Sequence, residues 1–559
     1  MEGVTVSIRG DGKPFVTTVF TNQQGVYLFP PVEQGKYKLW AQAQTFQTAK
    51  LDVDVASGQT QQVATLELKP LKDFENQLSG IEWMNSFPEN TPQEKREKQI
   101  FASNCSGCHN NQMPLQNRFD ASGWGKILSV MSLSSEGTVP RPGATGSPTI
   151  NAYREEIVGF LTKVRGPSAP SYPLKPLPRP TGEATQVVIT EFDLPNPAAP
   201  PESYMHNGSD WMEGSPSRWE GRASHDVALG QDGNIYFSDD RVIDRTIGKL
   251  DPRTGKVTSF KLPDKDGVAV ATHGLFPSPD GTLWMNGGEE GFFLQFDPKT
   301  EKFKNYPKPD SLPNVGGTIA VDSKGIPWAT SEGPHPMDHG SITLDVKSGK
   351  YTNYPLVTRN YNTYGITTDR EDNPWVTSPG TDRVDTVDTK TGKVYEVVFE
   401  PLTESTGLEI TAKDRDNYTK LSSGQNTATP LHNCPRRIEA DHSGDLVWVA
   451  LFCSDKIASI DIHTRKVVKE YTLPHKWSRP YALIVDQNHM VWIDMLNTDM
   501  VARLDPKTEK VTEFQMPTRG TNIRHLTLDK STDPPIVWAP YDAVNKIARI
   551  QFRKSSEMQ

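Results

Sequence analysis

The first 70 residues alternate between apolar and polar positions over short stretches, which is the pattern of half-buried β-strands. Turn signals such as Gly10-Asp11-Gly12 separate these stretches. Six strands are predicted in this way: Val4–Ile8, Val16–Thr21, Val26–Phe29, Tyr37–Gln42, Ala49–Val55 and Gln62–Leu68. Residues 1–72 are therefore expected to form a small Ig-like β-sandwich.

Between residues 91 and 166 the apolar positions recur at i, i+3 and i+4, which predicts helices. The predicted helices are Pro92–Asn104, Asp120–Ser134 and Ile150–Lys163. The first leads into Cys105, Cys108 and His109, which have the C-x-x-C-H spacing of c-type heme attachment. Two thiolates about one helical turn apart can add to the two vinyl groups of one porphyrin, and the next residue can turn its imidazole to the iron.

Two other kinds of site use a C-x-x-C pair. A zinc site needs a second Cys/His pair at matching spacing, and a redox dithiol usually accompanies a βαβ pattern. Neither companion feature is present in this sequence. We therefore predict that residues 73–166 form a small all-α cytochrome c domain with one covalent heme c.

The far side of the heme iron needs a second axial ligand, for which Met113 and Met131 are the candidates. Met113 lies only four residues from His109, too close to reach the far face comfortably. The segment resembles small cytochrome c domains, which carry a Trp-bearing helix leading to the ligand Met and a last helix of the form E-E-I-V-x-Y/F-L. The matching stretches here are "WGKILSVM" and "EEIVGFL". The resemblance implies that Met131 is the distal ligand, and a core methionine is the alternative.

The N-terminal segment resembles the carboxypeptidase regulatory-like domain through "GVTVSIRGDGKPFVTTVFTNQQGVYLFPPVEQGKYKLWAQAQTF". Members of that family usually have one more strand before Gly3. The resemblance implies an extracytoplasmic accessory module, and a structural spacer is the alternative. Attachment of a c-type heme also happens outside the cytoplasm. We therefore expect a periplasmic or otherwise extracytoplasmic protein whose signal peptide, absent here, was removed before residue 1.

From residue 224 the sequence repeats with a period of about 44–48 residues, which is typical of propeller blades of four short strands. An aromatic residue marks one strand of each repeat: Tyr236, Trp284, Trp328, Trp375, Trp448, Trp492 and Trp538. A second hairpin signal of the type "DPKTEK" begins at six positions: Asp251, Asp297, Asp345, Asp388, Asp461 and Asp505.

The seventh repeat lacks its outer strand, and the proline-rich linker at residues 167–202 contains a candidate for it. Thr190–Pro195 reads "TEFDLP" and matches "TEFQMP" at Thr512–Pro517, the outer strand of repeat six. We expect this strand to complete a seven-bladed propeller over residues 203–559, which would remove an exposed sheet edge. The predicted fold class is thus a mainly β multidomain protein: sandwich, cytochrome c domain and propeller.

The repeats resemble the streptogramin (virginiamycin B) lyase-like propellers, as in "YGITTDREDNPWVT" and "HGLFPSPDGTLWMN". The resemblance covers about residues 186–553 and implies the fold. Lyases of that family use a Glu-x-His pair and a magnesium ion, and no Glu-x-His occurs in this sequence. Metal-dependent lyase activity is therefore kept only as an alternative.

Composition argues against two classes of protein, nucleic-acid binders and membrane-spanning proteins. The 559 residues carry a net charge of −9 with no long Lys/Arg stretch, which argues against nucleic-acid binding. No run of 18 apolar residues exists, so no membrane span is predicted. Of the four cysteines, Cys434 and Cys453 lie symmetrically about a hairpin turn. They are expected to form a disulfide, with two buried thiols as the alternative.

Several of the 12 histidines fall on the propeller face where inner strands begin. That face is predicted to carry His225, His273, Tyr364, His432, Arg436, Arg437, Tyr481, Arg524 and His525 at inner strands, with Asp239, Asp240, Arg241, Glu289, Glu290, His335, Asp338 and His339 in loops. The long insertion Pro401–Leu431 falls on the same face. Histidine serves as a general base or a metal ligand, and guanidinium groups bind carboxylates.

The residues of this face allow two functional roles and one reading without a ligand. His225, His273, His432 and His525 would be catalytic together with Arg436, Arg437 and Arg524, which would hold a small anionic substrate. Alternatively, a second metal ion (Cu, Zn, Ca or Mg) would be bound by ligands drawn from a histidine set: His225, His273, His335, His339, His432 and His525. Polar channel lining without a ligand is the third reading.

The functional expectation is an exported heme c oxidoreductase, or a subunit of one, that exchanges electrons with a redox partner protein. The main alternative is a non-enzymatic electron-transfer or assembly subunit in which the propeller is a docking platform. Substrate, partner and oligomeric state do not follow from the sequence.

Overall fold

A computed structural model describes residues 1–58, 63, 65–107, 109–133, 146–195, 224–239, 245–264, 267, 269–288, 291–333, 336–359, 361–420 and 428–553. The chain is mainly β, with seven α-helices among these residues. None of the helices in the described ranges is long and apolar enough to cross a membrane.

The N-terminal domain is built on four antiparallel strands in the order β2-β1-β3-β4. They are β1 (Thr5–Gly10), β2 (Phe15–Phe20), β3 (Gly35–Gln42) and β4 (Ala49–Val55). Alternate apolar residues such as Val6, Val19 and Leu39 form its core, as the sequence pattern predicts.

One predicted strand of this domain is wrong, and a second is not formed in the part that the structure describes. Val26–Phe29 is not a strand, because the Val26 backbone turns back to bond Asn22 and its side chain is 57% exposed. In the predicted strand Gln62–Leu68, residues 63 and 65–68 are not part of a strand, and Gln62 and Ala64 lie outside the described residues. Near it, the backbone bonds only irregularly, from Gln47 to Lys69 and from Leu71 to Thr45.

The second domain is helical, as predicted. Its helices are α1 (Gly80–Ser86), α2 (Pro92–Cys105), α3 (Gln112–Leu115), α4 (Ala121–Leu133), α5 (Pro148–Ala152) and α6 (Arg154–Arg165). Thr91 and Glu94 form a capping box that starts α2. The predicted helix Ile150–Lys163 is interrupted at Tyr153, which separates α5 from α6. Phe101, Trp124 and Phe160 lie in one buried core.

A buried carboxylate joins this domain to its neighbours. Glu82 of α1 is 1% exposed and accepts hydrogen bonds from Gln44 Nε2 of the first domain at 2.7 Å and from the Ser79 backbone at 2.7 Å. It also accepts one from the backbone of Leu177 in the proline-rich segment at 2.6 Å. The proline-rich segment is therefore packed against the helical domain where the structure describes it.

The proline-rich segment leads into β5 (Val187–Asp193) and then into the propeller. Blade one contains β6 (Ser224–Leu229), β7 (Ile235–Asp239), β8 (Ile247–Leu250) and β9 (Val257–Phe260). Blade two contains β10 (Leu275–Pro277), β11 (Leu283–Gly287), β12 (Phe292–Asp297) and β13 (Lys302–Tyr306). Blade three contains β14 (Asn314–Val321), β15 (Pro327–Glu332), β16 (Gly340–Asp345) and β17 (Lys350–Pro355).

Blade four contains β18 (Ile366–Thr368), β19 (Pro374–Ser378), β20 (Arg383–Asp388) and β21 (Lys393–Val398), and helix α7 (Ala412–Lys420) follows in the long insertion. Blade five contains β22 (Pro435–Ala440), β23 (Leu446–Leu451), β24 (Lys456–Asp461) and β25 (Lys466–Thr472). Blade six contains β26 (Pro480–Val485), β27 (Val491–Met495), β28 (Met500–Leu504) and β29 (Val511–Gln515). These six blades are separate four-stranded antiparallel sheets.

The last strands belong to an eight-stranded sheet rather than to a separate blade. They are β30 (Thr527–Asp529), β31 (Ile536–Tyr541) and β32 (Lys546–Phe552). The order of the sheet is β30-β31-β32-β5-β2-β1-β3-β4. β5 pairs with β32, so the strand predicted upstream does complete this unit. Its side chains pack on blade six at Ile189 and on blade one at Phe192, which closes the ring.

The other edge of β5 pairs with β2 of the N-terminal domain. The sandwich therefore continues the outer edge of the seventh propeller unit, an arrangement that the sequence does not predict. Rings of Phe15 and Phe192 lie 5.6 Å apart across this junction.

Cys434 and Cys453 are joined by a disulfide with an S–S distance of 2.13 Å. The backbone oxygen of Cys453 accepts a hydrogen bond from Gln99 Nε2 of α2 at 2.9 Å. The cross-linked loop of blade five is therefore in contact with the helical domain.

Helix α7 fastens the insertion of the propeller to the helical domain. Arg96 of α2 makes an ion pair with Asp414 of α7 and a second one with Glu156 of α6 at 2.9 Å. The Tyr153 hydroxyl donates to Asp414 Oδ1 at 2.9 Å. The Arg96 and Asp414 side chains are 3% and 0% exposed, so this clasp is buried.

Replacing Asp414 with alanine should loosen the clasp, because it leaves the buried Arg96 with Glu156 as its one carboxylate partner among the described residues. Removal of one partner of a buried ion pair costs about 3 kcal/mol. We expect hydrogen exchange of the α7 amides to accelerate roughly hundredfold. Asp416→Ala is the matched control, since Asp416 lies on the same helix with 55% of its side chain exposed. Equal exchange rates in the two variants would contradict the clasp.

Candidate functional site

The inner strands of several blades begin with a β-bulge, and the bulged residues form the candidate site. Pairing with the second strand shifts between Ser224 and Val227 in blade one, between Pro435 and Ile438 in blade five, and between Pro480 and Leu483 in blade six. The residues between them are His225-Asp226, Arg436-Arg437 and Tyr481-Ala482. Bulges redirect side chains away from the regular pleat. We call the resulting cluster, with His273, Tyr364, Asp494, Arg524 and His525, the mouth.

His225 is the most completely defined residue of the mouth. It is fully buried, and its Nδ1 lies 2.8 Å from Asp226 Oδ1. Arg437 holds both oxygens of the same carboxylate, at 2.6 and 3.2 Å. The His273 ring packs on His225 with 3.7 Å between ring centroids, and His273 Nδ1 lies 2.8 Å from the Gly317 backbone oxygen.

The charges in this group are fixed by burial and by neighbours. Burial, and then the nearby His273, hold the pKa of His225 well below 6.5, so this imidazole is neutral at physiological pH. Burial alone would raise the pKa of Asp226. The Arg437 guanidinium and the neighbouring His525 outweigh it, and the pKa of Asp226 stays well below 3.8. An ionised Asp226 requires the proton of His225 to sit on Nδ1, which leaves the lone pair on Nε2.

The opposite side of the mouth is aromatic and cationic. The hydroxyls of Tyr364 and Tyr481 are hydrogen-bonded to each other. The Arg436 guanidinium carbon lies 4.1 Å from the Tyr481 ring centroid, 4.6 Å from that of Tyr364 and 5.0 Å from that of Phe452. Burial, and then the neighbouring Tyr481, raise the pKa of Tyr364 well above 10, so its hydroxyl keeps its proton.

Asp494 belongs to the mouth although sequence reasoning missed it. Its Oδ1 accepts hydrogen bonds from the backbones of Tyr481 and Ala482, both at 3.0 Å. Burial raises its pKa to about 8, against the opposing effect of those N–H groups and of Arg437 and Arg524. The carboxyl is therefore protonated at neutral pH.

A repeated sequence signal could have located Asp494. The second residue after the blade aromatic is polar in several repeats and binds the backbone at the start of an inner strand. Ser238 and Thr377 accept such bonds through their hydroxyls, and Asn286 does so through its amide oxygen. Asp494 is the acidic member of this series.

The C-x-x-C-H segment lies directly against the mouth. Arg524 Nη2 donates to the backbone oxygen of Gly107 at 2.9 Å, and its Nε lies 3.0 Å from Asp542 Oδ2. The Arg524 guanidinium carbon is 5.4 Å from the Tyr481 ring centroid. Asn497 of blade six bonds both the backbone and the side chain of Asn111, at 2.7 and 2.9 Å.

The described residues of this segment suit a covalent heme. Cys105 is half-buried at the last position of α2, and the His109 imidazole is buried. His109 Nδ1 lies 2.9 Å from the Asn110 backbone oxygen, so the lone pair is on Nε2, as an iron ligand requires. In the described structure the buried Asn110 Nδ2 and Gln112 Oε1 atoms have no hydrogen-bond partner. This is expected if the polar part of a bound group supplies those partners. Cys108 lies outside the described residues.

The structure places the two candidate distal ligands on different helices. Met131 is half-buried near the C-terminal end of α4, and Met113 is half-buried within α3.

Three predicted histidines are committed to other contacts. His432 Nδ1 accepts from the Thr429 backbone at 3.1 Å and its Nε2 donates to the Gly380 oxygen at 3.1 Å, while burial lowers its pKa to about 4. Both nitrogens of His339 lie near backbone oxygens, at 3.1 and 3.2 Å. His525 Nδ1 accepts from the Val227 backbone at 3.3 Å.

The described members of the predicted histidine set form no metal site in this structure, and the sixth member, His335, lies outside the described residues. Within the ranges that the structure covers, no three His, Cys, Asp or Glu side chains are placed to hold a metal ion. Among the predicted loop residues, Asp239 is paired with Arg245 and Asp338 is exposed. The remaining predicted positions lie outside the described residues: Asp240, Arg241, Glu289, Glu290 and His335.

Comparison with known protein families bears on the N-terminal domain. Residues 1–69 match the carboxypeptidase regulatory-like domain family, in agreement with the resemblance noted above. A search of curated proteins finds no match to this chain.

Three solved structures resemble part of the chain. A streptogramin B lyase is 19% identical, with 67% of this chain and 100% of that one covered and a TM-score of 0.49. A virginiamycin B lyase from Staphylococcus aureus is 16% identical, covering 60% and 97%, with a TM-score of 0.46. A catalytically inactive variant of that lyase with quinupristin is 15% identical, covering 66% and 100%, with a TM-score of 0.48. The propeller described above rests on its own strands and not on these alignments.

Asp494 should make stability fall as the pH rises. Its pKa is 3.8 in an ordinary setting and about 8 in the folded chain. The stabilisation from its bound proton is therefore complete below about pH 4 and is lost as the pH rises through about 8. We expect the thermal midpoint to fall less between about pH 6 and 9 in Asp494→Asn than in the parent. Asp505→Asn, in a surface turn of the same blade, should leave the parent slope unchanged, since hydrogen bonds lower the pKa of Asp505. Parallel slopes for all three proteins would refute the assignment.

Proposed function

We propose that this chain is an exported c-type heme protein of the oxidoreductase class. Its substrate site is the propeller mouth, and it exchanges electrons with an external redox partner protein. The observation that carries the proposal is the contact between the two chemical centres. Arg524 belongs to the mouth and bonds the backbone of Gly107, inside the C-x-x-C-H segment.

The residues that would hold the heme are Cys105 and Cys108, by thioether bonds, and His109 and Met131, as ligands of the iron. When bound, such a heme supplies one-electron oxidation and reduction. The chain fixes the tautomer of His109 through the Asn110 backbone oxygen. It fixes the position of the loop through Asn497 and Arg524.

The mouth offers groups suited to a small anionic substrate. Arg436, Arg437 and Arg524 are buried at 1%, 6% and 1% exposure, where cations attract anions more strongly than in water. His225 presents the Nε2 lone pair of a neutral imidazole and so can accept a proton. Its orientation is held by Asp226, which Arg437 keeps ionised.

A docking platform is the second candidate, and one observation favours it. The helical domain rests on the propeller through Gln99, Asn104 and Asn111, each hydrogen-bonded to a propeller residue. In that reading the buried mouth stabilises the contact between domains and binds no substrate. The two candidates share the heme and differ in whether the mouth takes a ligand.

The heme and its distal ligand can be tested together. The exported protein should retain heme on a denaturing gel, and Cys105→Ala should weaken that retention. In Met131→Ala the midpoint potential should fall, because an axial Met raises the potential. Met113→Ala is the matched control and should leave the potential unchanged. An absence of covalent heme in the parent would end the proposal, and a fall confined to Met113→Ala would reassign the ligand.

The contact between Arg524 and the heme-attachment segment predicts an electrostatic effect. A buried cation beside the heme favours the reduced and less positive iron, so Arg524→Gln should lower the midpoint potential. Arg245→Gln is the control, because Arg245 is equally buried and is paired with an aspartate, as Arg524 is with Asp542, but its partner is Asp239 of blade one. Potentiometric titration of the three proteins measures the effect. Equal potentials in the parent and Arg524→Gln would show that the mouth and the heme do not interact.

A further inference from the structure

Three buried polar atoms of the mouth have no hydrogen-bond partner among the residues that the structure describes. They are Nε2 of His225, Nε of Arg437 and Oδ2 of Asp494. The three residues are 0%, 6% and 0% exposed. A buried polar group left without a partner costs about 1–3 kcal/mol, so three in one cluster indicate a missing bound molecule.

The contacts of His225 determine which hydrogen-bonding group the missing molecule must place beside it. Its Nδ1 lies closer to the carboxylate of Asp226, at 2.8 Å, than to the Arg437 Nη2 donor, at 3.3 Å, so the Nδ1 proton bonds Asp226 and Nε2 is an acceptor only. The ring cannot turn to offer its proton instead, because His273 packs on its face at 3.7 Å. A hydroxyl group is the neutral donor that suits an imidazole lone pair.

Asp494 and Arg437 each present a hydrogen-bond donor, so the missing molecule must also carry an acceptor. Both backbone N–H groups that reach Asp494 bond Oδ1, and Oδ2 receives none. A buried carboxyl in that arrangement carries its proton on Oδ2 and donates from it. The Nε of Arg437 is a donor as well, and its terminal nitrogens are already committed to Asp226. An oxygen with free lone pairs is therefore needed beside the hydroxyl.

The surrounding charge favours an acidic ligand over a neutral one. Arg436 and Arg524 flank Tyr481, at 4.1 and 5.4 Å from its ring centroid, and Arg437 makes a third guanidinium, against the carboxylates of Asp226 and Asp542. A carboxylate accepts hydrogen bonds from guanidinium and carboxyl donors more strongly than a ketone or an amide oxygen does.

We propose that the mouth binds a small hydroxycarboxylate, whose hydroxyl donates to His225 Nε2 and whose carboxylate accepts from Asp494 and Arg437. The inference specifies the substrate class of the proposed function and rests on that proposal only for the role of the ligand as a substrate. Binding itself requires the mouth and not the heme.

Calorimetric titration with glycolate and with methoxyacetate tests the proposal on the intact protein. The two probes are both small carboxylates, but methoxyacetate has no hydroxyl proton to donate. We expect glycolate to bind at least tenfold more tightly, since a site built to receive a hydroxyl rejects an analogue without it. In His225→Phe that preference should vanish, and in His225→Gln, which keeps an acceptor oxygen, part of it should remain. His442→Phe is the control, because His442 lies in an exposed turn.

Equal affinity for the two probes in the parent protein would overturn the proposal. Binding of neither would overturn it too and would leave ordered water as the partner of the three atoms. The comparison of probes in the parent stands even where His225→Phe fails to fold. Heme absorbance of the same sample is read independently. Its absence would refute the heme function without touching the ligand preference, and its presence without any preference would refute the hydroxycarboxylate alone.

Discussion

Backbone hydrogen bonding along both edges of β5 is the constraint on which the rest of the molecule depends. One edge pairs with β32 and completes the propeller ring, and the other pairs with β2 of the N-terminal domain. A strand bonded on both sides leaves no open edge. The helical domain lies in the chain between β4 and β5, so both of its ends lead into this one sheet. That restriction holds the C-x-x-C-H segment near blade six and the eight-stranded sheet, where Asn497 and Arg524 bind it.

Within the ring, β-bulges at the beginnings of the inner strands bring the polar side chains of the mouth together. A regular inner strand would send alternate side chains into the blades on either side. The bulges at His225-Asp226 and Arg436-Arg437 instead turn two neighbouring side chains toward the mouth. Burial then decides the protonation of each group: a neutral imidazole, an ionised Asp226 held by Arg437, and a neutral Asp494. Such opposed protonation states in one cluster are characteristic of binding and catalytic sites.

Much of the fold could be predicted because it follows local rules. Helix α2 with its capping box, the repeated blade aromatics and the displaced strand β5 all leave short-range patterns in the sequence. The pairing of β2 with β5 leaves no such pattern. The sequence of a strand shows which side chains face the core, but not whether another strand is hydrogen-bonded to its backbone edge. Val26 misled the prediction for a similar reason: alternation shows which residues could face a core, and not whether a partner strand is present.

The sequence indicated where the candidate site residues lie in the propeller better than it indicated what each of them binds. His225, His273 and the three arginines were located because they occupy the starts of inner strands. His432 occupies a similar place in the sequence, yet its two nitrogens bond Thr429 of the insertion and Gly380 of blade four, contacts that only the folded chain creates. Asp494 was missed because a single acid two residues after a tryptophan is unremarkable until the same position is compared across all the blades.

The carboxylate of Glu82 has a consequence for how this protein can change. It is bonded at once by Gln44, Ser79 and Leu177, which belong to the N-terminal domain, the helical domain and the proline-rich segment. Exchange of the N-terminal domain for another would strip Glu82 of a buried donor and bare the outer edge of β5 in the same event. The N-terminal domain is therefore an integral part of the packing of this chain rather than an exchangeable attachment.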